Sequence, residues 1–328
     1  MKTFRWGIIS TGGIARAFAK DLQYVTGHSV AAVGSRSMEA AKAFADLFPG
    51  AVAYDSYESL VADPSIDGVY VATPHPYHVS NTILALQAGK PVLCEKPFAV
   101  TAAEAELMIN TAREKNLALM EAMWTRFLPH IQVVRQILKD GILGEILHVE
   151  ADHGQALQER NIPRINLPEY AGGAILDLGI YPVSFAHLVL GPPEKITATG
   201  KFTKDGVDSQ TTAIFDYASG AQAIVTANMI VKSPCRAVIC GTLGRLEIDR
   251  TFYNPASMRV IMKDESVTEY PRNYEGHGLR EQAVEFARIV AAGLTESPLL
   301  NLDETLIIMR AMDEIRRQIG LKFPFETH

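Results

Sequence analysis

The sequence predicts an α/β protein of two domains: a doubly wound parallel sheet in residues 1–122, and an α+β domain with a large, mostly antiparallel open sheet in residues 123–328. Two observations predict this. In the first third, short apolar runs alternate with amphipathic helical stretches across short connections, as in parallel sheets. After residue 123, strand-like runs follow one another through short turns such as YASGAQ, which is typical of antiparallel pairing.

The first domain alternates strand and helix throughout. Ser37 is expected to cap its second helix, and Thr101 with Glu104 forms a capping box at its last helix. The predicted strands are 4–10, 29–35, 68–74, 91–95 and 117–123, and the predicted helices are 14–25, 38–48, 78–90 and 101–116.

The second domain is predicted to be mostly β-structure. A Gly-Gly turn followed by a helix occupies 172–191, and two late helices occupy about 278–292 and 303–319. The predicted strand regions are 146–154, 195–203, 211–230, 236–249 and 258–264.

The composition is that of a globular protein and argues against nucleic-acid-binding, membrane-spanning and secreted proteins. The 328 residues are 48% hydrophobic and 21% charged, and the formal charge of −6 argues against a nucleic-acid-binding surface. No membrane span or signal peptide is expected. The three cysteines, Cys94, Cys235 and Cys240, have no metal-binding spacing, and their odd number indicates reduced thiols in the cytoplasm.

A glycine-rich loop, STGGIA, joins the first strand to the first helix. It places Ser10, Gly12 and Ala15 at the key positions of the dinucleotide fingerprint GxGxxG/A. Gly12 stands where the backbone must approach a pyrophosphate closely, whereas Ser10 departs from the consensus. The loop predicts a dinucleotide-binding Rossmann domain.

The end of the second strand predicts which dinucleotide binds. NAD enzymes usually place Asp or Glu there to bind the adenosine ribose, but this chain has Ser35 followed by Arg36. A guanidinium binds a phosphate well, so the sequence favours NADP, with NAD as the alternative.

Two further strand ends carry polar residues. ATPHPYH, residues 72–78, ends the strand predicted at 68–74, and CEKP, residues 94–97, ends the strand predicted at 91–95. Because ligands of open α/β sheets bind beyond the carboxyl ends of the strands, both segments are expected to line the nicotinamide half of the site. Lys96 is suited there to donate to a substrate oxygen or to relay a proton.

The order of these motifs resembles the glucose–fructose oxidoreductase, inositol dehydrogenase and MocA (Gfo/Idh/MocA) family over nearly the whole chain. GxxxxGxIA, ATPxxxH, CEKP and GGAxxDxGxY carry the resemblance. MEAMWTRFLP, residues 120–129, is similar to the branch of dihydrodiol dehydrogenases and NADP-dependent D-xylose dehydrogenases.

The resemblance implies a role for each matching residue, and a cis peptide that would hold Lys96 on Pro97. It makes residues 1–122 the NADP-binding domain and residues 123–328 the domain for substrate binding and oligomerisation. The implied cofactor contacts are Ser10, Thr11, Gly12, Gly13, Ile14, Ser35, Arg36, Thr73, His75, His78, Glu95, Lys96, Arg126 and Arg164.

Asp177 and Tyr181 are four residues apart on a predicted helix, so they share a face. Hydride transfer from an alcohol carbon also requires removal of the hydroxyl proton. We expect Tyr181 to be the acid/base, Lys96 to lower its pKa and relay the proton, and Asp177 to orient the substrate hydroxyl. Lys96 itself is the alternative proton acceptor.

Aromatic residues are expected to shape the substrate pocket, with core packing as an equal alternative. They are Trp124, His153 and Tyr253. The family often carries Tyr near the nicotinamide where this chain has Glu281, which leaves that edge of the pocket undefined.

Together these residues predict an NADP-dependent dehydrogenase that acts on a cyclic diol or sugar, either a trans-dihydrodiol or a D-xylose-type aldopyranose, in either direction. The alternatives are an NAD-dependent inositol or sugar dehydrogenase, and a non-catalytic cofactor-binding sensor. Apolar residues on both faces of strands in 211–230 predict a homodimer or homotetramer formed through the second sheet.

Overall fold

The computed structural model describes residues 3–326, which form two compact units. The first unit comprises the described residues up to Phe127 together with Glu275–Leu306, and the second comprises Leu128–Tyr274 and the described residues from Ile307. The sequence division had assigned 123–127 and 275–306 to the second domain.

The first unit is built on a six-stranded parallel sheet of order β3-β2-β1-β4-β5-β6. This is the strand order of a Rossmann fold, and it confirms the predicted doubly wound sheet. The strands are β1 (Phe4–Ile9), β2 (His28–Gly34), β3 (Val52–Tyr54), β4 (Gly68–Val71), β5 (Val92–Glu95) and β6 (Leu119–Ala122). The helices are α1 (Gly13–Asp21), α2 (Met38–Ala45), α3 (Tyr57–Val61), α4 (His78–Gln87), α5 (Ala102–Lys115) and, late in the chain, α9 (Arg280–Ala291).

Helix α9 belongs to the first unit because its apolar face packs there. The ring of Phe286 lies 5.4 Å from that of Trp6 and 6.0 Å from that of Phe4. The buried carboxylate of Asp21 accepts the N–H groups of Gly278 and Arg280, each at 2.9 Å, at the start of the helix. Contacts so distant along the chain leave no local sequence signal.

The second unit contains an eight-stranded sheet of order β14-β13-β12-β11-β7-β10-β9-β8. Every pair is antiparallel except β7 with β10, which confirms the predicted mostly antiparallel sheet. The strands are β7 (Ile146–Gly154), β8 (Lys195–Phe202), β9 (Asp208–Asp216), β10 (Gln222–Asn228), β11 (Ala237–Gly241), β12 (Gly244–Ile248), β13 (Met258–Met262) and β14 (Val267–Tyr270). The helices are α6 (Pro129–Lys139), α7 (Pro163–Asn166) and α8 (Ile180–Leu190), and α10 (Leu302–Ile319) crosses the unit boundary at Leu306.

One segment, Pro168–Leu190, is long and apolar enough to cross a membrane by length and composition. However, 83% of its most apolar window is buried within the structure. Such burial is typical of a core helix. The segment ends in α8, which packs on β7 and β10.

Candidate active site

The phosphate loop lies between β1 and α1. Ser10 has φ of 110°, a backbone region that favours glycine, and its hydroxyl accepts the Gly12 N–H at 3.2 Å. The N-cap Gly12 brings no side chain over the first amides of α1, and nothing lies within 4 Å of a Cβ built on Gly13. The loop therefore fits a dinucleotide pyrophosphate, which helix N-terminal amides bind well.

The end of β2 carries the predicted serine and arginine side by side. Ser35 accepts the Ser37 N–H at 3.3 Å, and Ser37 in turn caps α2 by accepting the Ala40 N–H. Arg36 is exposed. An exposed guanidinium beside a hydroxyl is suited to binding a phosphate.

His78 connects the carboxyl ends of β4 and β5. Its Nε2 lies 2.8 Å from the Thr73 carbonyl and its Nδ1 lies 2.9 Å from the Pro97 carbonyl. Burial lowers the pKa of His78, so the ring is neutral and donates to one carbonyl at a time. Since His78 is 0% exposed, it holds both segments in place, and its predicted contact with the cofactor stays a prediction.

Glu95 and Lys96 follow β5 with different exposure. Glu95 is 4% exposed, and Lys96 is partly exposed. The Tyr70 hydroxyl donates to Glu95 Oε1, and Glu95 Oε2 accepts the backbone N–H of Lys96 at 3.2 Å. The Lys96–Pro97 peptide is cis, as the family resemblance implied. Sequence reasoning missed Tyr70, whose only signal is one phenol in an otherwise aliphatic strand.

Arg126 is buried in the first unit near two carboxylates, Glu121 and Glu304. It is 2% exposed and forms an ion pair with Glu304. Burial raises the pKa of nearby Glu121 to about 7, although the Thr305 hydroxyl donates to its Oε2 at 3.2 Å. The structure thus gives Arg126 partners within its own unit, and its predicted contact with the cofactor stays a prediction.

Three further residues, His75, Trp124 and Cys94, are buried near the strand ends. His75 is 7% exposed and its ring lies 5.8 Å from that of His78. Trp124 is 4% exposed and its ring lies 5.1 Å from that of exposed His277, which sequence reasoning missed. Cys94 is fully buried, and burial raises the pKa of its thiol, so it is a small apolar side chain rather than a thiolate.

Asp177 and Tyr181 lie on the predicted helix of the second unit, but the helix begins with a π-helical turn, Ile175–Gly179. Such turns are frequent at functional sites. Arg164 approaches Asp177, with 3.4 Å between Nη1 and Oδ1. The resemblance had assigned Arg164 to the cofactor; the structure gives it this carboxylate as a partner.

Three predicted residues form an aromatic cluster in the second unit. Ring centroids are 5.1 Å apart for His153 and Tyr181, 4.8 Å for Tyr181 and Tyr253, and 4.0 Å for His153 and Tyr253. Burial raises the pKa of the Tyr253 phenol, which therefore stays protonated. The structure thus brings together the residues that the sequence suggested for acid/base chemistry and for substrate binding in this unit.

Gln155 fixes the polar edge of this aromatic cluster. Its Nε2 donates to His153 Nε2 at 2.8 Å and to the Tyr253 hydroxyl at 3.0 Å. His153 Nδ1 lies 3.2 Å from the Leu178 carbonyl, which only accepts, so these partners assign a neutral ring with its proton on Nδ1. Sequence reasoning missed Gln155, which lies one residue beyond the end of β7 and two residues after His153.

The part of the chain that the structure describes contains no cluster of side chains that could form a metal site. Residues 3–326 contain no group of three His, Cys, Asp or Glu side chains placed to hold one ion.

Comparison with known proteins assigns the family. The model of an oxidoreductase family with an NAD-binding Rossmann fold, GFO/IDH/MocA, matches residues 4–123, and that of its C-terminal domain matches residues 131–247. Trans-1,2-dihydrobenzene-1,2-diol dehydrogenase of Xenopus tropicalis is 36% identical over 329 residues, which cover 98% of this chain and 99% of the relative. The human enzyme of that name is 36% identical over 332 residues, 98% of each chain.

Solved structures of other oxidoreductases are similar to this chain over nearly its whole length. A 3-ketoreductase from Actinomadura kijaniata in complex with NADP and TDP-benzene has a TM-score of 0.86 and 28% identity, covering 97% of this chain and 98% of that one. An aldose-aldose oxidoreductase from Caulobacter crescentus complexed with glycerol has a TM-score of 0.87 and 25% identity at the same coverage. The chain therefore belongs to the GFO/IDH/MocA oxidoreductase family, with an NAD(P)-binding Rossmann domain.

Proposed function

We propose that this oxidoreductase is an NADP-dependent dehydrogenase that acts on a hydroxyl-bearing carbon of a cyclic diol or sugar. The observation that carries the proposal is the complete set of Lys96, Asp177 and Tyr181 in a chain that also keeps the phosphate loop. A protein that only sensed the cofactor would have no need of that set. Localisation in the cytoplasm is part of the proposal.

NADP is favoured over NAD by the end of β2. Ser35 and Arg36 stand where an NAD enzyme would place a carboxylate, and the guanidinium is exposed. The relative from Actinomadura kijaniata, whose structure contains NADP, supports the same preference.

The substrate class is favoured by the relatives. Two are named for a ring diol, and one solved neighbour is an aldose-aldose oxidoreductase. The neutral His153, Gln155 and Tyr253 provide hydrogen-bonding groups beside aromatic faces, which suits a hydroxylated ring.

In the proposed mechanism, a nicotinamide bound by the first unit supplies the hydride acceptor. Tyr181 takes the proton from the substrate hydroxyl as the general base. Lys96 lowers the pKa of that phenol and relays the proton, or accepts the proton itself. Asp177 orients the substrate hydroxyl, while Tyr70 and Glu95 fix the backbone from which Lys96 projects.

The test is a titration with NADP⁺ and with NAD⁺, followed by absorbance of the reduced nicotinamide with D-xylose, D-glucose, myo-inositol and a trans-dihydrodiol. We expect tighter binding of NADP⁺ and turnover with at least one ring substrate. In Arg36→Ser, the Kd of NADP⁺ should rise about 10-fold or more, as for loss of a charged hydrogen bond, while that of NAD⁺ changes little. Tight binding without turnover on any substrate would favour the sensor, and equal affinity for both dinucleotides would contradict the preference.

A homodimer, or a larger assembly, is proposed through one face of the second sheet. In β9 the side chains of Gln210, Thr212 and Ile214 are exposed and alternate with buried ones, and Ile214 is 37% exposed. Ile214 is the apolar side chain on this exposed face, and the proposal is that a second copy of the chain covers it. Sedimentation velocity at micromolar concentration should show a dimer or tetramer, and a monomer would count against this interface.

A further inference from the structure

A buried carboxylate, Asp208, lies at the first position of β9. It is 0% exposed, and burial raises its pKa to about 6. Burying an ionisable group costs free energy unless hydrogen bonds compensate. The compensating bonds show what the group holds in place.

Asp208 Oδ2 accepts two hydrogen bonds, each of 2.8 Å, from the backbone N–H of Ile175 and from the Thr211 hydroxyl. Ile175 opens the π-helical turn that carries Asp177 and leads into Tyr181. The N-cap residue of that turn, Ala174, has no side-chain acceptor to offer. Asp208 therefore supplies from a strand the anionic cap that this helix lacks in its own sequence.

The Gly-Gly turn before the helix is fitted to this carboxylate. Gly173 has φ of +114°, and a Cβ built on it would lie 2.2 Å from Asp208 Oδ1. A Cβ on Gly172 would lie 2.4 Å from the Ile165 carbonyl oxygen, on the segment that carries Arg164. Glycine at both positions lets the turn close onto Asp208 and Ile165 together.

We propose that Asp208 is a positioning residue, which fixes Asp177 and Tyr181 by capping the first turn of their helix. The inference rests on the proposed function, because it gives those two residues their roles. Since Asp208 is fully buried, it acts through the helix and not by contact with a bound molecule.

The test compares Asp208→Asn with wild type by steady-state kinetics and by hydrogen exchange of the segment 172–182. Asn keeps the shape but removes the charge that attracts the helix amides. We expect kcat to fall about 10- to 100-fold, as for a misplaced catalytic group, with the KM for NADP⁺ changed less than about two-fold. Exchange in 172–182 should become about 10-fold faster, while exchange in β11 and β12 stays unchanged.

Two further variants keep the test decisive. Asp216→Asn makes the same change at the other end of β9, where the carboxylate accepts from Gln222, and it should leave kcat and exchange as in wild type. Thr211→Val removes one donor from Asp208 and should give a smaller effect of the same kind if Asp208→Asn does not fold.

Wild-type kcat and wild-type exchange in the variants that fold would overturn the inference. Faster exchange throughout the second unit, without a selective effect on 172–182, would also overturn it, because the residue would then be only structural. If wild type turned over no substrate, the proposed function would fail, while the exchange data would still decide whether Asp208 holds the helix.

Discussion

Replacing Lys96 with Met should reduce kcat by about 100- to 10,000-fold, the range that general acid–base groups contribute. Met approximates the length of the lysine stem but has no ammonium to donate, relay or tune a proton. The Kd of NADP⁺ should change much less, because the phosphate loop and Arg36 are untouched. Stopped-flow reduction of NADP⁺ and a fluorescence titration of the cofactor measure the two quantities separately.

Lys90→Met is the matched control in the same unit. The Lys90 ammonium donates to the Asp63 carbonyl at 2.6 Å and to the Ile66 carbonyl at 3.2 Å, so it stabilises the loop before β4. That variant should lose stability and keep its kcat. If Lys96→Met retained wild-type kcat, Lys96 would have no role in the chemistry.

The residual activity also distinguishes the two roles proposed for Lys96. If Lys96 tunes Tyr181, its removal should shift the rising limb of the kcat–pH profile to higher pH, because a phenol without a neighbouring ammonium ionises later. If Lys96 accepts the proton itself, Tyr181→Phe should leave that limb in place. A limb unchanged in both variants would contradict both assignments.

Periodicity and cap residues predicted much of the fold from the sequence. The strands β1, β2, β4, β5 and β6 are found at the predicted places, and the capping box of Thr101 and Glu104 is formed. These features are local, since a strand run or a cap depends on residues only a few positions apart. The strand ends that they located are the ones that carry the candidate cofactor residues.

Other elements had no such signal. β3 has three residues and α3 has five, too short for a period to show. β14 is mostly exposed, so it lacks an apolar alternation. Helix α6 is amphipathic, yet it lies outside the predicted elements. The π-helical turn before Tyr181 depends on the packing around it rather than on its own residues.

In the candidate site, too, residues with a local sequence signal were predicted and residues without one were not. Residues in motifs were found, whereas Tyr70, Gln155 and Asp208, which hold them, were missed. Asp208 lies 31 residues beyond Asp177, and Tyr70 lies 25 residues before Glu95. Pairing at that distance is created by strand order, which a single sequence does not specify residue by residue.

Glu121 makes the stability of the first unit depend on pH. It is 1% exposed at the carboxyl end of the sheet, on β6, and burial raises its pKa from 4.5 to about 7. The folded state therefore keeps a proton that the unfolded state releases above pH 4.5. Its contribution to stability is fully present below pH 4.5 and is lost as pH rises to about 7.

In Glu121→Gln this loss should be absent. A shift of about 2.5 pKa units corresponds to about 3 kcal/mol, so the free energy of unfolding of the variant relative to wild type should rise by about that amount between pH 4.5 and 8. Gln still offers an oxygen to the Thr305 hydroxyl. Denaturation followed by tryptophan fluorescence measures the effect, because both tryptophans, Trp6 and Trp124, lie in the first unit.

The control is Glu114→Gln, the same chemical change on the exposed side of α5. Its free energy of unfolding should stay parallel to that of wild type over this pH range, since no buried carboxyl is removed. A Glu121→Gln curve that also ran parallel to wild type would mean that Glu121 is ionised in the folded protein. The Arg126 guanidinium would then face two anions, the buried Glu121 and the partly exposed Glu304, and attraction between unlike charges would hold the cluster together.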